Sequence, residues 1–76
     1  MKENYISIFS NFLAGLLEKG QIPLADVAGL VKVFEPVSPM VQSRKQLIIF
    51  LEKYMVNYPQ LEELKKQLED SNYQFN

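Results

Sequence analysis

An all-α fold, a small bundle of three main helices plus a short fourth, is what this sequence predicts. Three observations carry the expectation. Apolar residues recur at the helical period of 3.6 in each long segment. Gly20, Pro23, the Glu35-Pro36-Val37-Ser38-Pro39 cluster and Tyr58-Pro59 divide the chain into four pieces. The length, 76 residues, suits one small domain. No break is long enough for a flexible linker, and there is no repeat or low-complexity tract. The expected organisation is one helical domain over residues 1–70, followed by a tail over 71–76 that frays unless Tyr73 and Phe75 dock.

The first helix is expected from about Asn4 to Lys19. Tyr5, Ile6, Ile8, Phe9, Phe12, Leu13, Leu16 and Leu17 share one side, opposite Ser7, Asn11, Ala14 and Glu18. Asn4 is the N-cap, and Gly20 sits where a left-handed residue ends a helix.

The second runs from about Pro23 to Phe34, with Pro23 in the first turn and Asp26 near the positive end of the helix dipole. Leu24, Val27, Ala28, Leu30, Val31 and Phe34 cover a broad sector, and Val33 projects from the other side. A helix apolar nearly all round is buried on several sides, and in so short a chain another chain is one source of part of that cover. Its valines leave a strand as the rival reading. Glu35 precedes proline, which biases it to extended torsions and ends the element.

The third helix is expected from an N-cap at Ser38, with Pro39 at the first position, to about Asn57. Its main stripe is Met40, Val41, Leu47, Ile48, Leu51, Tyr54, Met55 and Tyr58, with Phe50 at the edge. Ile49 and Val56 lie roughly opposite, among Lys45, Glu52 and Lys53. The fourth, Pro59 to about Asp70, carries a Leu61, Leu64, Leu68 seam. The expected core is Phe9, Phe12, Leu13, Leu16, Val27, Val31, Leu47, Leu51, Tyr54 and Leu64.

Composition narrows function mainly by exclusion. Cysteine and histidine are both absent, which removes thiolate chemistry, disulfides, the commonest metal ligand and the usual general base. The adjacent acidic pairs, Glu62-Glu63 and Glu69-Asp70, point about 100° apart on a helix and do not converge on a substrate atom. No catalytic residue, metal site or cofactor is expected, and the protein is read as non-enzymatic. The N-terminal apolar stretch is broken by Ser7, Ser10 and Asn11, unlike a signal peptide, and no run approaches the roughly 20 apolar residues of a membrane span. A cytoplasmic location is the expectation.

With 47% hydrophobic residues, a chain this short cannot hide every apolar side chain, because small domains bury a smaller share of their surface. The expected function is therefore a protein-protein interaction module: an adaptor, an inhibitor or a self-associating piece such as a homodimer. Its contact patch is Leu30, Val33, Phe34, Ile49 and Val56, with Lys45, Glu52 and Lys53 as polar rim. One alternative is a helix-turn-helix-type DNA-binding regulator presenting Gln42, Ser43, Arg44 and Lys45 to a major groove. Against it stand a net charge of −1 and the single arginine, Arg44. A further alternative, a membrane-surface protein using the first helix, lacks the lysines and arginines such helices carry on their polar face.

Overall fold

The computed structural model describes residues 3–75. Met1 and Lys2, placed in the expected domain, and Asn76, placed in the expected tail, lie outside them. Four α-helices form: α1 (Tyr5–Glu18), α2 (Leu24–Phe34), α3 (Arg44–Tyr54) and α4 (Glu62–Glu69). Two short 3-10 turns, Ser38–Met40 and Pro59–Leu61, precede α3 and α4. There is no strand among the described residues, so the strand reading of the second segment falls.

Helix α1 is bounded as its sequence dictates. The Asn4 side chain accepts the Ser7 N–H at 3.0 Å. At the other end Gly20 adopts φ 69°, and its N–H reaches the Leu17 carbonyl while that of Gln21 reaches Leu16. This paired bonding satisfies the last carbonyls of the helix and turns the chain back. Ile22, just past the turn, drops into the core.

Helix α2 buries one stripe only. Leu30 and Phe34 are 3% and 2% exposed, and Val27 and Val31 pack at the core margin. Ala25, Ala28, Gly29 and Lys32 face outward. This chain covers α2 on one side only: Ala25, Ala28 and Gly29 cost little to expose, while Leu24 and Val33 stay at the surface, 67% and 40% exposed. Leu30 and Phe34, expected at a partner's surface, are core residues. Glu35 is also corrected: it keeps helical torsions, φ −50° and ψ −49°, although a proline follows. A sequence of turn bonds, Val37 N–H to Phe34 and Ser38 N–H to Glu35, holds it there.

The expected third helix is two pieces. Ser38 does not cap a helix; its hydroxyl donates to the Glu35 carbonyl at 2.9 Å and belongs to the 3-10 turn. The backbone then extends, with Val41 at ψ 97° and Ser43 at ψ 161°. Ser43 is the cap of α3: its hydroxyl accepts the Gln46 N–H at 3.2 Å, while Gln46 Oε1 accepts the Gln42 N–H at 2.7 Å. These reciprocal bonds resemble a capping box and outcompete continuation of the helix from Pro39. Helix α3 stops at Tyr54, short of Asn57, where Asn57 and Tyr58 both bond the Tyr54 carbonyl ahead of Pro59.

The four helices meet in one core. Phe9 of α1, Phe34 of α2 and Phe50 of α3 form a triangle of rings, with centroids 4.9 Å (9–34), 5.5 Å (9–50) and 4.9 Å (34–50) apart. Tilted and edge-on ring pairs of this kind add about 0.5–1.5 kcal/mol each beyond their area. Leu61, Leu64 and Leu68 close the other end against Leu13, Leu16, Leu47 and Leu51, all buried. Phe12, Val27, Val31 and Tyr54, expected inside, are partly buried at its margin. The radius of gyration, 11.6 Å, leaves no room for a larger interior.

The tail docks. Phe75 packs against the core margin, its ring 4.8 Å from that of Tyr73, and Arg44 holds the backbone of the segment. Of the two aromatics on which the expected order of the tail depends, Phe75 packs on the core while Tyr73 stays 38% exposed.

Candidate interaction surface

Helix α3 faces two ways. Leu47 and Leu51 point into the core, and Ile48, Phe50 and Tyr54 pack at its margin. Ile49, 60% exposed, and Val56, 87% exposed in the turn after the helix, lie on the outward side. Lys45, Glu52 and Lys53 are exposed around them. Glu52 also reaches across to α4, where its carboxylate meets Lys65 Nζ at 3.2 Å and holds that ammonium above its ordinary range. The rim is therefore fixed on one side by the bundle itself.

Of the eight residues expected at a contact surface, Val33, Ile49, Val56, Lys45, Glu52 and Lys53 are accessible, while Leu30 and Phe34 are withdrawn. Val33 is on α2, 40% exposed, beside the buried Phe34. Ile6, Leu24, Met40 and Tyr73 are also exposed, spread over the starts of α1 and α2, the first 3-10 turn and the tail.

Three of the four residues of the DNA-binding alternative serve the chain's own architecture. Ser43 caps α3, and the Gln42 N–H is bonded to Gln46. Arg44 Nε and Nη2 grip the Glu3 carboxylate at 2.9 and 2.7 Å. Its Nη1 and Nη2 donate to the Asp70 and Tyr73 carbonyls at 2.9 and 2.7 Å, and its guanidinium lies 5.0 Å from the Phe75 ring centroid. The one arginine a groove-reading helix would use is occupied. Lys45 remains exposed.

The chain matches no family model, no curated protein and no solved structure.

Around Arg44 gather residues the sequence did not flag. Tyr5 Oη donates to Glu3 Oε1 at 3.1 Å, so Glu3 accepts from both Arg44 and Tyr5. The Arg44 bond is the largest influence on Glu3 and draws its carboxyl below the ordinary value of 4.5. Burial, and then the bond to Glu3, raises the Tyr5 hydroxyl above 10.0. No local pattern announces this cluster, because Glu3 and Arg44 are 41 residues apart. Among the described residues, no group of three or more acidic side chains is placed to hold a metal ion, no polar or charged side chain is buried, and no helix is long and apolar enough to cross a membrane.

Proposed function

We propose that this protein is a non-enzymatic protein-binding module that docks another protein chain on the outward face of α3. The observation that supports the reading is the exposure of Ile49 on the back of α3, at 60%, and of Val56 in the turn that follows it, at 87%, while Leu47 and Leu51 on the other side are buried. Large aliphatic side chains there gain nothing for the isolated fold, whereas burial against a partner returns about 25 cal/mol per Å² of apolar area before association costs. Lys45, Glu52 and Lys53 form a rim of mixed sign that orients the partner more than it tightens the complex. Val33 extends the apolar surface available on α2.

Affinity capture on the immobilised chain, run beside Ile49→Asp and Val56→Asp chains, tests the reading. A partner retained by the native chain and lost by both variants is the expected result, with capture insensitive to moderate salt. Sedimentation of the native chain from micromolar to hundreds of micromolar separates self-association from a different partner. Capture equal on all three chains would refute the α3 face.

A further inference from the structure

The segment beyond α4 covers apolar surface without being helical. Asp70 starts it: its carboxylate accepts the Asn72 N–H at 2.9 Å and its carbonyl accepts the Tyr73 N–H at 3.0 Å. The resulting turn lays Phe75 against the core margin. A surface hollow lies on each side of the segment. One, of about 370 Å³, opens toward Phe12, Leu16 and Leu64. The other opens toward Tyr5 and Leu68. Ile8, Gln74 and Phe75 wall both. The segment is thus a partition across one trough between α1 and α4.

Little besides Arg44 holds the partition in place. Two of its donors take the Asp70 and Tyr73 carbonyls, and its guanidinium faces the Phe75 ring. A segment anchored by one side chain and one partly buried ring opens at far lower free energy than the helices beneath it.

We propose that residues 71–75 are a displaceable strap, latched by Arg44, that occupies in cis a trough where an extended aromatic-x-aromatic segment of a partner protein docks. The strap displays the chemistry of that occupant. Tyr73 and Phe75 supply two rings one residue apart, and the backbone supplies carbonyls to the guanidinium fork. An incoming segment with the same features replaces both rings and takes over the Arg44 bonds. Because the strap is tethered, it competes at an effective concentration on the order of millimolar, so the trough admits only a better ligand or opens when the latch weakens. The trough is separate from the α3 face, and the two readings stand or fall independently.

The test uses the full chain and an end-blocked peptide with the Asp70–Phe75 sequence, followed by two-dimensional NMR. In a Tyr73→Ala/Phe75→Ala chain, the peptide is expected to shift Ile8, Phe12, Leu16 and Leu64 saturably. The native chain is expected to bind it at least about tenfold more weakly, because its own strap competes. Arg44→Gln is expected to speed hydrogen exchange at the Tyr73 amide by about tenfold with the helices intact, and Arg44→Lys serves if that chain does not fold. Equal peptide affinity for native and emptied chains, no binding to the emptied chain at millimolar peptide, or unchanged Tyr73 exchange overturns the proposal.

Discussion

Arg44 and Glu3 meet fork to fork, Nε on Oε1 at 2.9 Å and Nη2 on Oε2 at 2.7 Å, joining the start of α3 to the residue before the α1 cap. Planar two-point pairing of this kind is specific to arginine; a lysine supplies the charge without the fork. The same guanidinium holds the tail, so one side chain ties together three parts of the chain distant in sequence.

The pair makes stability depend on acid. The Glu3 carboxyl is held below 4.5, chiefly by the Arg44 bond, with burial opposing and the Tyr5 bond adding to it. A carboxyl whose folded value is depressed contributes stability that is complete above its unfolded value. That contribution is lost as pH falls through 4.5 and on through the folded value. Tyr5 acts in the opposite direction: its raised value contributes stability below 10.0 that is lost as pH rises through the folded value. Thermal melts against pH are expected to show an acid limb that Glu3→Gln flattens and an alkaline limb that Tyr5→Phe flattens. An acid limb of the same slope in Glu3→Gln would show that the pair does not set it.

Phe34 and Val33 are neighbours in sequence with opposite fates. Phe34 lies in the ring triangle and is 2% exposed, whereas Val33 is 40% exposed. Phe34→Ala is expected to cost about 3–5 kcal/mol, a large share of the stability of a small domain, and Val33→Ala about 0.5 kcal/mol. Chemical denaturation of both chains gives the comparison, and equal costs would contradict the packing. The sequence set Val33 opposite Phe34 but assigned both to a contact patch, because α2 carries apolar residues on most sides and its pattern does not say which sector turns inward. Rotation is set by which partner rings are available, and Phe9 and Phe50 come from distant segments. Helix α1, with polar residues along one side, had only one rotation to choose, and Phe9, Leu13 and Leu16 are buried as expected.

Two serines compete for the start of α3, and their alanine variants separate them. Ser43→Ala removes the acceptor for the Gln46 N–H and is expected to cost about 1 kcal/mol. Ser38→Ala removes an exposed bond to the Glu35 carbonyl and is expected to cost about 0.5 kcal/mol or less. Urea denaturation decides, and a larger loss at Ser38 would mean that the helix begins there. The sequence pointed to Ser38-Pro39, a cap followed by proline, with the apolar stripe already under way at Met40 and Val41. Ser43 and Gln46 sit inside that stripe and do not interrupt its period, so nothing in the spacing marked a second start. The reciprocal bonds of Ser43 and Gln46 prevail because they satisfy two N–H groups.

Ile49→Asp and Val56→Asp put a charge where water already reaches. Neither side chain supports the core, so each variant is expected to keep its stability within about 0.5 kcal/mol of the native chain. Leu47→Asp, two residues from Ile49 and fully buried, is expected to unfold the protein, because a carboxylate there would have no partner. Circular dichroism melts of the three chains make the comparison. This contrast also gives the binding test its meaning. If the two outward variants melt like the native chain and still lose a captured partner, the loss belongs to the surface and not to the fold. If either outward variant melts several degrees lower, that side chain supports the bundle itself, and the α3 face loses its claim to be free for a partner.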